Sequence, residues 1–247
     1  DPTYLIHHST YLNDRLGFLS RQMKEKIERY KETDPDYYRW MYLGEVIGLG
    51  NHVYNMNYFK PLDSLPDDDK LIGISFALDT GHQQSATACG AYGLTAKGNV
   101  ILLDTFYYSP AGKTIKKAPS ELTVMIHDFI DKVMKQYRVP KLKMTIDSAE
   151  GALRNQYFKD YGERWHPVAK KKTQTMIDMV ISLLAEGRFY YLDIPANKVF
   201  VEEHKMYRYD DKTINSDDPK VIKEDDHTVD EFKYFVLDNA RELDLKA

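Results

Sequence analysis

Two apolar runs in this chain end in a carboxylate: LIGISFALD closes on Asp79, and KMTID closes on Asp147. Both runs are rich in β formers, and ligands of open α/β sheets gather outside the carboxyl ends of strands. If the two strands are neighbours, their acids converge. Unpartnered carboxylates at close range repel, and one is driven toward its protonated form unless a cation neutralises both. Each acid also has a plain structural reading. Asp79-Thr80-Gly81 and Asp147-Ser148 look like turn starters, where aspartate hydrogen-bonds nearby backbone amides.

A third group lies far along the chain. In EDDHTVDEFKY, Asp226, His227 and Asp230 stand at i, i+1 and i+4. On a helix this spacing puts one imidazole and two carboxylates on one patch. Asp226 as an N-cap, with acids at the positive end of the dipole, is the bland account. It explains Asp230 less well, because Asp230 sits beyond the first turn beside an apolar stripe. Taken together, the three groups suit a pair of Mg²⁺ or Mn²⁺ ions. Mg²⁺ takes hard oxygen ligands and keeps several waters, and imidazole widens the choice toward Mn²⁺. Two such ions activate water for attack on a phosphodiester, so no nucleophilic side chain is required.

Lysines supply the matching cations. Lys170, Lys171 and Lys172 follow the WHPVA segment and open a helix, and Lys113, Lys116 and Lys117 lie in the loop GKTIKK. Either group reads as a solvated turn or as a contact to nucleic-acid phosphates. GKTIKK is no nucleotide loop, since Tyr107 stands where the upstream glycine of GxxxxGK[ST] belongs. An ATPase centre is therefore not expected in this chain. His82, after Gly81, reads as a hairpin-loop surface residue.

The elements that position these residues follow from periodicity. LIGISFALD (71–79), SATACGAYGLT (85–95) and VILLDTFYY (100–108) are strands joined by short turns, an antiparallel meander. Leu122, Ile126, Phe129, Ile130, Val133 and Tyr137 mark a helix from Ser120. Strand 143–147, helix 148–162, strand 165–169, helix 173–186 and strand 188–194 follow. A short helix over 197–205 and a long one over 226–243 complete the order. The expected fold is α/β: a mixed sheet, antiparallel meander plus parallel strands, flanked by helices. Residues 1–60 read as a helical segment, with Ser20 as an N-cap and Pro35 breaking the first helix. PLDSLPDDDK (61–70) reads as a linker opening a second domain that runs over 61–247.

Composition narrows the field. The 247 residues carry 34 Lys+Arg and 38 Asp+Glu, net −4, so a small basic nucleic-acid module is excluded. Residues 202–247 hold 14 acids and 8 bases, which concentrates the negative charge near the third cluster. The single cysteine, Cys89, excludes a disulfide framework and a Cys-rich zinc site. No apolar run approaches the ~18 residues of a membrane span. The N-terminus lacks the pattern of a signal peptide, and a chain beginning with Asp1 suggests a piece of a longer protein.

Four segments carry a family resemblance: ISFALDTG with its hairpin, TIDSAEG, HPVAKKKTQTMIDMVISLL and EDDHTVDEFKYFVLDN. In order and spacing over residues 71–240 they resemble the C-terminal nuclease domain of the large terminase subunit of tailed bacteriophages. HHSTYLNDRLGFLS and YYRWMYLGEVIGLGNHVYN resemble the segment joining the ATPase motor to that nuclease. The resemblance implies an RNase H-like fold and metal-dependent cleavage of double-stranded DNA. It implies that Asp79, Asp147 and some of Asp226, His227 and Asp230 hold the metals, relatives differing between Asp and His on the last helix. It further implies cutting of concatemeric viral genomes in the host cytoplasm, with the small terminase subunit and portal protein as partners and the motor domain absent from this chain. The same carboxylate geometry serves junction resolvases and hybrid ribonucleases, and a non-catalytic assembly domain of the same fold is the remaining alternative.

Overall fold

The computed structural model describes residues 9–14, 16–33, 35–44, 51–81, 85–216 and 218–245. The chain divides into two compact units, Asp1–Gly50 and Asn51–Ala247. In the first, α1 (Arg21–Thr33) begins where the Ser20 hydroxyl accepts the Met23 amide at 3.2 Å, the expected cap. Pro35 opens α2 (Pro35–Leu43), in the first turn where its missing N–H costs nothing.

The second unit is one seven-stranded sheet. Its elements are β1 (Lys60–Leu62), β2 (Leu71–Asp79), β3 (Thr87–Thr95), β4 (Val100–Tyr108), α3 (Pro119–Tyr137), β5 (Lys141–Asp147), α4 (Gly151–Tyr161), β6 (His166–Val168), α5 (Thr173–Ala185), β7 (Phe189–Leu192), α6 (Lys198–Met206) and α7 (His227–Asp238). The strand order is β1-β7-β4-β3-β2-β5-β6. Only β3 runs against the others. The expected meander is β2-β3-β4, and the other strands are added in parallel. Six strands therefore deliver their carboxyl ends to one edge of the sheet, which decides where a site can form.

Alternation along the strands sorts the core onto two faces. Ile74, Phe76 and Leu78 point to one face and pack with Ile126, Ile130 and Val133 of α3 and Leu153 and Tyr157 of α4. Ala77, Leu94, Val100 and Leu102 point to the other, against Ile177 and Val180 of α5, Phe200 of α6, and Val229, Phe232, Phe235 and Val236 of α7. Cys89 is free and buried on the first face.

Residues 61–70 are not a linker. Lys60–Leu62 pairs in parallel with β7, and the Leu62 carbonyl accepts the Asp193 amide at 2.9 Å. Pro61 is tolerated because β1 is an edge strand. The last acid of the aspartate run, Asp69, is buried and ties down the β3–β4 turn. It accepts from the Thr95 hydroxyl at 2.7 Å, the Lys97 amide at 2.9 Å and the Asn99 amide group at 2.7 Å. The division also falls earlier than position 60, at Gly50/Asn51, because Val53, Tyr54 and Phe59 are buried in the second unit's core with Phe200 and Tyr207. Helix α7 stops at Asp238, short of 243. Asn239 takes the C-cap, and its side chain donates back to the Phe235 carbonyl at 2.8 Å.

Candidate metal centre

Strands β2 and β5 are parallel neighbours in which Leu78 faces Ile146. Asp79 and Asp147 are each one residue further on, so the two acids leave the sheet side by side, with strand axes ~4.8 Å apart. Helix α7 lies across the same end of β2. Its first residue, His227, places Nδ1 2.9 Å from Asp79 Oδ2. Residues 148 positions apart thus meet, and Asp230 sits one turn along the same helix.

Asp226 stands at the N-cap of α7 but makes no capping hydrogen bond. A residue from α6 caps the helix instead. Buried Glu203 Oε2 accepts the Thr228 amide at 2.6 Å and the Thr228 hydroxyl at 2.7 Å. Asp226 thus holds the expected N-cap position without making the capping bond, and its carboxylate is turned elsewhere. Asp226 Oδ2 lies 2.9 Å from Lys223 Nζ, an ion pair without hydrogen-bonding alignment.

Ammonium groups fill the spaces between the acids. Lys170 Nζ lies 2.6 Å from Asp147 Oδ2. Lys223 Nζ also reaches Asp230 at 3.0 Å, and Lys233 Nζ reaches it at 2.5 Å. Lys233 is buried and donates also to the Tyr207 hydroxyl at 2.9 Å. Among the described residues, no group of three His, Cys, Asp or Glu is gathered tightly enough to hold an ion as it stands. Three of the four aspartates, Asp147, Asp226 and Asp230, already face an ammonium group. The donor set nevertheless fits hard divalent ions, with four aspartates, one imidazole and positive charge located among them.

The electrostatics follow from the packing. Burial pushes the Asp79 carboxyl up, and the His227 contact only partly opposes it. Burial, the largest influence, lowers His227, but the bond to Asp79 together with the charges of Asp79, Glu203 and Asp226 outweighs it and holds the imidazole above its ordinary value. Burial would raise Asp230, but Lys233 and Lys223 hold it below the usual carboxylate range. Burial pushes the Tyr234 phenol far up, reinforced by Asp230, Asp79, Asp147 and Asp226 in that order. One buried ring on α7 therefore feels all four acids. Glu231 is fully buried and pushed well up by burial; it accepts from the Tyr92 hydroxyl at 2.7 Å. That contact fixes the roll of α7 against β3.

Sequence reasoning reached Asp79, Asp147, Asp226, His227 and Asp230 but missed Glu203, Lys223, Lys233 and Tyr234. Lys233 and Tyr234 carried a signal in their spacing, at i+3 and i+4 from Asp230. Glu203 carried none. Of the expected DNA-facing lysines, Lys170 is turned onto Asp147, and Lys171 and Lys172 are exposed. Lys113 sits 4.1 Å above the Tyr108 ring, Lys117 pairs with Glu121 at 3.0 Å, and Lys116 is exposed. Both lysine loops follow strands that run with β2, so both leave the sheet at the acidic edge. His82 lies outside the described residues.

Comparison with known proteins gives the family. A model described as terminase RNAseH like domain matches residues 79–238, and one described as phage terminase large subunit matches residues 1–45. The large terminase of a thermophilic bacteriophage superposes with a TM-score of 0.69 at 20% identity, over 90% of this chain and 53% of that one. The g2p large-terminase nuclease domain of bacteriophage SPP1, solved with bound Mn, gives 0.53 at 16% identity, over 76% and 98%. The large terminase nuclease of thermophilic phage G20c with bound magnesium gives 0.51 at 12%, over 76% and 97%. This chain spans about half the length of the first of these proteins. No curated protein matches it. At these identities the structural likeness establishes the fold, a mixed RNase H-like sheet flanked by helices. The family model spans well over half of the residues, from Asp79 through the end of α7, and the chain belongs to the terminase RNase H-like domain family.

Proposed function

We propose that this chain is a metal-dependent endonuclease that cuts double-stranded DNA. The observation that carries this reading is the meeting of Asp79, Asp147 and His227 at the carboxyl edge of the sheet, with Asp226 and Asp230 on the same helix end. Asp79 and Asp147 would supply oxygen ligands, and neutral His227, Asp230 and Asp226 would complete the shell. Two Mg²⁺ or Mn²⁺ ions bound there supply a water activated for attack and charge neutralisation at the leaving oxygen. The Mn and magnesium named for the SPP1 and G20c nucleases support this choice.

The chain's own groups do the rest. Tyr234 and the buried end of α7 exclude water beneath the acids. Lys170 neutralises Asp147 and, once released, is placed to meet a phosphate. Lys171, Lys172, Lys113, Lys116 and Lys117 hold the backbone on either side. Such contacts position DNA without reading its sequence. In a packaging phage the substrate is the concatemeric genome, and the partners are the small terminase subunit, the portal protein and an ATPase motor.

Asp79→Asn and Asp147→Asn test the site. Losing several kcal/mol of charge stabilisation costs about 10³-fold in rate, at tenfold per ~1.4 kcal/mol. Each variant should therefore stop plasmid nicking while melting like the wild type, and calorimetry should show weakened Mn²⁺ binding. Wild-type nicking by either variant refutes the assignment. Parallel assays on duplex, RNA–DNA hybrid and branched DNA separate the terminase reading from the resolvase and hybrid-ribonuclease readings.

A further inference from the structure

Outside the acidic edge, the outer side of the sheet holds a cleft of about 400 Å³, lined by Arg154, Asn155, Phe158, Arg164, Trp165, His166 and Pro167. That is within the range of small-ligand clefts, ~300–1,000 Å³. One wall is α4, where Arg154 and Phe158 are four residues apart and share a face. The other is the edge strand β6 with the two residues before it, Arg164 and Trp165. The Arg164 guanidinium lies 4.0 Å above the Phe158 ring, which is 41% exposed. Among the described residues neither Arg154 nor Arg164 has an acidic partner, whereas most lysines near the centre are paired. His166 Nδ1 lies 2.9 Å from Asp238 Oδ1, and its side chain is 62% exposed. Trp165 is buried, and its indole N–H has no partner among the described residues.

The cleft therefore offers two unpaired guanidinium groups, a planar cation seated on an aromatic ring, and an apolar floor. Those features match a phosphate joined to a flat heterocycle. Its position fits as well. In the β5–β6 register Asp147 faces Val168, and His166 faces Thr145. His166 is thus one strand across and two residues back from Asp147, about 8 Å away at ~4.8 Å per strand and ~3.3 Å per residue. That is two to three nucleotides at ~3.4 Å of rise each.

We infer that this cleft captures an unpaired nucleotide beside the cut, its phosphate on Arg154 and Arg164 and its base against the Arg164–Phe158 stack. The inference rests on the nuclease reading, because it needs DNA at the acidic edge. A duplex frayed or cut there presents a free strand to β6. Guanidinium planes and aromatic rings accept any base, so the cleft selects unpaired DNA without selecting sequence.

The test compares a blunt duplex with one of equal length carrying a four-nucleotide single-stranded tail. Binding is read by fluorescence anisotropy in Ca²⁺, and cutting is assayed separately in Mn²⁺. Wild type should bind the tailed duplex about tenfold more tightly, the lower part of the range for stacking one base. Arg154→Gln/Arg164→Gln should lose that preference and flatten the salt slope for the tailed duplex by about 0.7, the value for one phosphate contact on a single strand. Phe158→Ala should lose the preference with the slope unchanged. All three side chains are at least partly exposed, so melting temperatures should match wild type. A wild type without tail preference, or variants that keep it, overturns the inference. Either result with Mn²⁺-dependent cutting intact leaves the nuclease reading standing. A wild type that prefers tails but never cuts overturns that reading instead.

Discussion

The proposed metal centre is a contest among cations at the level of single side chains. Asp147, Asp226 and Asp230 face Lys170, Lys223 and Lys233, and these lysines differ in burial. The Lys233 side chain is 1% exposed and that of Lys223 is 53% exposed. Removing Lys233 would strand a buried carboxylate, which costs several kcal/mol. Lys223 is the removable competitor. Its half-exposed pairs are screened and worth ~0.2–1 kcal/mol. Lys223→Ala should therefore tighten Mn²⁺ binding about two- to fivefold, measured calorimetrically near neutral pH, and slightly lower the melting point of the metal-free protein. Unchanged or weaker Mn²⁺ binding would show that the ammonium does not occupy ion space. The five candidate ligands were legible in the sequence because strand-ending acids and helical spacing are local patterns. Of the lysines among them, Lys233 carried a signal in its i+3 spacing from Asp230, but Lys170 and Lys223 did not: an ammonium on a polar stretch looks the same whether solvated or turned onto an acid, and only the tertiary fold decides.

At the scale of elements, the placing of His227 depends on α6. Glu203 takes the orphan amide at the start of α7, and no sequence rule predicts a cap supplied from 25 positions away. Glu203→Ala leaves the Thr228 amide and hydroxyl unpaired in a buried setting. It should lower stability by about 1–3 kcal/mol and weaken Mn²⁺ binding about 10- to 100-fold, as removal of outer-shell partners does. Glu203→Gln, which keeps an acceptor, should recover much of both, by melting and calorimetry. A Glu203→Ala protein with wild-type Mn²⁺ affinity would separate α6 from the centre. The neighbouring His204 tests how tightly α6 is packed. It is fully buried, lies 4.0 Å from the Phe200 ring, and burial holds it down to about 3. Unfolded, it takes a proton below its ordinary ~6.5. Between those values the unfolded chain binds more protons, so stability present above pH ~6.5 drains away as pH falls toward 3. His204→Leu should reduce the loss between about pH 7 and about pH 4.5 by about 2–3 kcal/mol, read from urea midpoints. An equal loss in both proteins would mean that His204 is protonated while folded. The strands and long helices were legible through period and length. Strand β1 was not, because a three-residue edge strand containing Pro61 carries no periodicity and borders a run of aspartates.

On the scale of the whole molecule, the nuclease reading asks a chain of net charge −4 to bring a polyanion to its acidic edge. The sheet topology answers this: loops after β4 and β6 leave at that same edge and carry Lys113, Lys116, Lys117, Lys171 and Lys172. The negative charge of the centre and the positive charge of its rim are therefore set by strand direction, not by composition. Binding should then be weak and steep in salt without divalent ions, and stronger once ions offset the carboxylates. Lys171 and Lys172 give the cleanest test, being exposed and, among the described residues, not ion-paired to the acids of the centre as Lys170 is to Asp147. Each phosphate that is no longer neutralised takes ~0.9 off the salt slope on B-form DNA. Lys171→Ala/Lys172→Ala should thus flatten the slope by about 1.8 and weaken binding equally on two unrelated blunt duplexes, because phosphate contacts carry no base information. Anisotropy titrations from about 50 to about 200 mM salt in Ca²⁺ measure both quantities. A slope that does not move would place DNA away from this loop, and weakening confined to one duplex would mean that these lysines read bases.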